Sequence, residues 1–127
     1  MIAAALAPVA AAPSVILGNS HHDHLPHADA ELIRLCGAYI EALDAYTDSG
    51  SQLDCEDDPL WQAIEALEEQ LDGLTARTLD GVAALGRVAQ RWALQQDGSE
   101  NFDTSFTGDW PERVVRNVLR LQAEGRA

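Results

Sequence analysis

The chain has 127 residues, 21 of them Asp or Glu and 8 of them Arg, which gives a formal charge of -13 and a pI near 4.4. This length fits a single domain that buries roughly two thirds of its unfolded surface, so a core forms without metals or disulfides. A charge of -13 repels phosphate backbones and anionic headgroups, which excludes nucleic acid and membrane surfaces as direct partners.

The composition narrows the chemistry further. Of the apolar residues 21 are Ala, so the core is expected to be mostly Leu, Val and Ile. There is no Lys, a pattern that reads as the codon bias of a GC-rich genome. The acids crowd the first half, with 13 acids and one Arg over residues 28–72 against seven acids and seven Arg over 73–127. Cys36 and Cys55 form no disulfide framework of the secreted kind and are expected as reduced thiols, Cys36 among apolar residues and Cys55 in an acidic loop that dulls its reactivity.

The chain opens with MIAAALAPVAAAPSVILGNS, Ala-rich and interrupted by Pro8 and Pro13. Residues 1–27 are read as an irregular arm and 28–127 as the folded domain. The apolar run is shorter than the roughly 20 residues that span a bilayer. It resembles a signal peptide with small residues at Ala10 to Ala12, but the basic start is missing, because the first Arg is Arg34. The expected location is the cytoplasm, with the periplasm as the alternative if residues 1–12 act as a signal.

Four helices follow, because apolar residues recur at steps of three and four and no stretch alternates strictly. The expected fold is all-α, a small antiparallel bundle of three to four helices. The first helix spans about Asp29 to Tyr46, with Asp29 as N-cap and Leu32, Leu35, Cys36, Tyr39, Ile40, Leu43 and Tyr46 inward. The second has Asp58 as cap and Pro59 at the first helical position. Its Leu60, Ile64, Leu67, Leu71 and Leu74 form a seam, Glu65, Glu68, Glu69 and Asp72 face outward, and Gly73 ends it in a left-handed cap. The short connection that follows makes the second and third helices antiparallel neighbours.

Thr78 caps the third helix, which ends near Gln96 and buries Leu79, Val82, Leu85, Ala89, Trp92 and Ala93. Gly81, Gly86 and Ala89 are read as a site where another helix approaches closely. Residues 97–109 are a polar loop holding Phe102 and Phe106. The spacing of Asp109 and Glu112 suits a capping box for the last helix, which runs to about Ala123 with Val114, Val115, Val118, Leu119 and Leu121 on its packed side. Arg113, Arg116 and Arg120 line one stripe of that helix, which reaches the acidic face of a neighbouring helix or docks an acidic partner.

Several residue sets are candidates for a site. All four histidines lie in HHDHLPH, and His21, His22, Asp23, His24 and His27 make a ligand set for weak binding of a divalent transition metal. No other cofactor is expected. The loop oxygens of Asp97, Ser99, Asn101, Asp103 and Ser105 alternate as in a calcium loop, but Phe102 replaces the required Gly and Gly108 the bidentate Glu. With every His in the arm and no Lys, no nucleophile and base pair assembles, so the chain is not expected to be an enzyme.

The sequence HADAELIRLC, then DDPLW, then LTARTLDGVAALGRVAQRW, then Trp110-Pro111 and an Arg-bearing helix resembles a broad group of small, uncharacterised alphaproteobacterial proteins, many carried in or near prophage regions. The resemblance covers residues 27–121 and is most specific at Thr78 to Gly81 with Ala84 and Arg87. It implies an all-helical fold and a mobile-element neighbourhood, and it supplies no catalytic residue. The leading expectation is a non-enzymatic helical module that binds a protein partner or a second copy of itself, through Trp92, Trp110, Arg113, Arg116 and Arg120. The alternatives are an acidic mimic of nucleic acid that occupies a DNA-binding protein and a His-rich metal binder.

Overall fold

A computed structural model describes residues 27–125, and among them there are helices and no strand. Helix α1 covers Ala30–Ser49, α2 Pro59–Asp72, α3 Leu79–Ala93, α4 Thr104–Thr107 and α5 Trp110–Ala123, with a 3-10 turn at Cys55–Asp57. The expected all-helical bundle is what forms. None of the described helices is long and apolar enough to cross a membrane.

The local signals explain most boundaries. The Asp58 carboxylate accepts from Leu60 N at 2.9 Å and Thr78 Oγ1 accepts from Gly81 N at 3.2 Å, so both predicted caps satisfy amides that the first helical turn leaves without partners. α1 runs three residues past the predicted end, to Gly50, whose φ of 61° is a left-handed conformation that Gly adopts without strain. Gly73 does not play that part: at φ -85° it is right-handed. α3 stops at Ala93 because Leu94 turns extended and bridges to Glu100 across a tight turn in which Gly98 has φ 87°.

The short α4 had no helical periodicity to reveal it. It forms because Asp103 Oδ1 accepts from Ser105 N at 2.9 Å. The alternating oxygens of this loop are spent on the loop itself, since Asp97 Oδ1 accepts from Ser99 N and Asn101 Oδ1 from Asp103 N, both at 2.9 Å. The capping box of α5 does not form either. Asp109 has φ -95° and ψ 8°, short of the extended backbone a cap requires, and its carboxylate instead takes Arg113 Nε at 3.3 Å.

α1 packs on α2 and on α3, and α3 packs on α5, while α2 and α5 stand apart. Directions follow from the pairs that meet. Tyr39 reaches Glu68 and Tyr46 reaches Trp61, so α1 and α2 are antiparallel; Asp29 meets Thr78 and Asp44 meets Arg91, so α1 and α3 are parallel. α2 and α3 therefore run in opposite directions as expected, yet each packs on α1 rather than on the other. The core is one cluster from Leu32 to Leu43 on α1, Ile64 and Leu71 on α2, Val82 to Ala89 on α3, and Trp110 and Leu121 on α5.

The α2–α3 connection is held from both sides. Asp29, 2% exposed, does not cap its own helix. It accepts from Arg77 N at 2.9 Å, Thr78 N at 2.8 Å and Thr78 Oγ1 at 2.6 Å, so it anchors the linker and the Thr78 cap of α3 across 49 residues of sequence. From the other side, Ala76 N donates to Asn117 Oδ1 at 2.9 Å, and Arg120 donates to Ala76 O. Burial alone would raise the Asp29 pKa, but the Thr78 hydroxyl, the Arg77 and Thr78 amides and the nearby His27 outweigh it and hold the carboxyl below its ordinary value.

This clamp explains Gly81. A Cβ there would lie 2.1 Å from Asp29 Oδ2, so the missing side chain admits a carboxylate and not a neighbouring helix. Gly86 faces open space, with nothing within 4 Å of a built Cβ, and is not the expected packing site.

Candidate functional site

Because α2 and α5 stand apart, a seam runs between them. One end is an aromatic cleft of about 270 Å³. Trp61 comes from α2, Trp92 from the last turn of α3 and Trp110 from the start of α5, so all three tryptophans of the chain line this one cleft. Tyr39 of α1 and Phe106 of α4 complete the apolar wall.

The floor is a stacked set. Tyr39 is fully buried, with its ring 5.3 Å from Trp110 and 6.5 Å from Trp92 at tilted angles that suit aromatic quadrupoles. Trp92 Nε1 donates to the Tyr39 hydroxyl at 3.3 Å, and that hydroxyl donates to Glu68 Oε2 at 3.1 Å. Burial, opposed by the Trp92 hydrogen bond and reinforced by the Glu68 charge, raises the Tyr39 pKa, so the phenol remains a donor. Tyr46 supports the rim from behind, 5.1 Å from Trp61.

The cleft is acidic. Glu65, Glu68 and Asp109 line it, and no Arg or His does. Of the α2 acids expected to face outward, Glu65, Glu69 and Asp72 are exposed, Glu65 at the cleft rim and Asp72 paired with Arg113, whereas Glu68 is half-buried and turns toward Tyr39, because α2 presents one side to α1 and another to the seam. Among the described residues no cation pairs with Glu65 or Glu68.

The other end of the seam carries the Arg stripe. Arg113 sits 4.3 Å over the Trp110 ring and pairs with Asp72 and Asp109. Arg116 pairs with Glu112 at 2.6 Å, and Arg120 contacts Glu124, Asn117 and Ala76. Trp110 is buried, 3% exposed, and so offers no contact area to a partner; Trp92 is half-buried at the cleft.

A third surface is the outer face of α5. Val115 is 55%, Val118 40% and Leu119 61% exposed, contrary to their expected place on the packed side. The packed stripe is Trp110, Val114 and Leu121, and α5 packs mainly on α3, meeting α1 through Trp110 and Tyr39 and α2 through Arg113 and Asp72. Leu79 also emerges to solvent, because it precedes the turn at which α3 first meets α1.

Of the histidine cluster, His21, His22, Asp23 and His24 lie outside the described residues. His27 is engaged at both ring nitrogens: Nδ1 accepts from Asp29 N at 3.0 Å, and Nε2 stands 3.3 Å from Asp80 Oδ2. Among the described residues no group of three or more His, Cys, Asp or Glu is placed to hold a metal ion. Cys36 and Cys55 are both free thiols, Cys36 buried and pushed up to about 11 by that burial, and Cys55 exposed with its Sγ 3.7 Å from the Tyr46 hydroxyl.

No family model, curated protein or solved structure matches this chain.

Proposed function

We propose that this protein is a non-catalytic helical interaction module whose working surface is the outer face of α5, and that a second copy of the chain is its occupant. The observation that supports this is the exposure of Val115, Val118 and Leu119 on one face of a helix whose opposite face is already buried. Contiguous exposed apolar area on a small domain marks an interaction site. The flanking charges suit a copy of the same surface. Glu112 and Arg116 border the apolar strip and are paired within the helix, so an antiparallel two-fold pairing lets each Arg116 meet the partner's Glu112 without any new charge being buried alone.

The test is sedimentation across a concentration series. The wild-type chain is expected to dimerise, and the double substitution Val115→Asp, Leu119→Asp to remain monomeric with unchanged helical circular dichroism. A wild-type monomer throughout the series overturns the self-pairing.

A further inference from the structure

We propose that the aromatic cleft between α2 and α5 is a binding site for a small organic cation, of the quaternary or methylated ammonium class. Two independent features of the cleft converge on that ligand. The accessible walls are Trp61 and Trp92, both half-buried, and the exposed Phe106, over a floor of buried Tyr39 and Trp110, and aromatic faces attract a cation through the ring quadrupole. The charged groups at the rim are the carboxylates of Glu65, Glu68 and Asp109; Asp109 is paired with Arg113, while Glu65 and Glu68 have no cationic partner among the described residues.

The neighbouring groove supplies an internal comparison. There the Trp110 ring already holds a guanidinium, with Arg113 at 4.3 Å, and the carboxylates of Asp72 and Asp109 each have that Arg as a partner. In the cleft, Glu68 receives only the neutral Tyr39 hydroxyl and Glu65 no cation. The charge that balances the basic groove from within is missing from the cleft, and an incoming cation would provide it.

Size restricts the ligand. The cleft holds about 270 Å³, roughly nine waters by bulk volume, which admits an alkylammonium head or one long side chain but not a helix. A bare metal ion fits poorly, since the walls offer rings rather than converging oxygens. An alkylated ammonium matches both halves of the lining: its methyl groups replace water against the indoles, and its charge spreads over carbons that no carboxylate needs to desolvate fully.

All three tryptophans line the site, so intrinsic fluorescence reads it directly, alongside titration calorimetry on the full chain. The probes are benzyltrimethylammonium, its neutral carbon isostere in which a quaternary carbon replaces nitrogen, and a short peptide carrying trimethyllysine. The ammonium is expected to saturate one site, with the isostere about tenfold weaker. Glu65→Gln and Phe106→Ala are each expected to weaken it several-fold, with the circular dichroism unchanged. Preference for the free ammonium assigns a small metabolite, and preference for the peptide assigns a modified protein tail. Equal affinity for the isostere, or no saturable binding of any cation, overturns the proposal. Val115→Asp, Leu119→Asp is expected to bind the ammonium as the wild type does, so this inference and the proposed dimer fail separately.

Discussion

The two ends of the α2–α5 seam use one ring, Trp110, and opposite chemistry. On the basic side every guanidinium of the stripe finds a carboxylate or carbonyl of its own chain, and the adjoining linker is clamped by Asp29, Asn117 and Arg120. On the aromatic side the carboxylates of Glu65 and Glu68 have no cationic partner among the described residues. Charges that are satisfied internally hold a fold together. Charges left over beside an aromatic wall contribute little to stability; on the proposed reading their place is recognition, and the seam then divides into a part that holds the fold and a part offered to a ligand.

The comparison breaks first, and by the largest amount, at Asp29. Asp29→Ala leaves two amides and a hydroxyl of the linker without their acceptor, and is expected to cost about 3 kcal/mol in urea unfolding. Gly81→Ala is expected to cost about 2 kcal/mol, because its Cβ displaces the same carboxylate. In the Asp29→Ala background that second cost vanishes, since the obstructing oxygens are gone and Ala favours the helix over Gly by about 1 kcal/mol. Additive losses in the double variant would show that Gly81 serves something other than the clamp.

Why some of this was readable and some not follows from distance along the chain. The Asp58 and Thr78 caps and the Pro59 start depend on residues two or three apart, and each formed where the sequence put it. Asp29 has the spacing of a cap for α1, but its partners lie 48 and 49 residues away, and no local pattern announces them. The cleft was hidden for the same reason. Trp61, Trp92 and Trp110 come from three helices, and only the gap between α2 and α5 brings them together. The Leu seam of α2 suggested one buried face, whereas Leu60 and Leu74 keep 36% of their surface exposed and the helix divides its sides between α1 and the seam. On α5 the apolar positions number more than one neighbour can cover, so periodicity alone assigned Val115 and Leu119 to the wrong side.

A pH series sharpens the same contrast with a smaller effect. The Asp29 carboxyl titrates below its ordinary value in the fold because the linker donors outweigh its burial, while in the unfolded chain it titrates near about 3.9. A lowered folded pKa means the contribution is whole above about pH 5 and is lost as the pH falls through 4 toward the folded value. The stability difference between wild type and Asp29→Asn is therefore expected to shrink as the pH falls below about 5. Asp58, Asp97 and Asp103 are held low as well by their own hydrogen bonds, so the difference between the two chains, rather than the wild-type curve, isolates the clamp.

The smallest expected effect is the most direct measure of the contrast across Trp110. Arg113 covers the ring and joins two acids, with about a quarter of its side chain exposed, so Arg113→Ala is expected to lower stability by about 1 kcal/mol through lost packing and pairing together. Glu65→Gln removes a charge that is more exposed and has no ion partner, and is expected to shift stability by no more than about 0.5 kcal/mol. It should even be slightly favourable, since it thins a field in which Glu65, Glu68 and Asp109 share one rim. A loss at Glu65 as large as that at Arg113 would mean that the cleft carboxylates stabilise the fold after all, and the division drawn along the seam would then lie somewhere else.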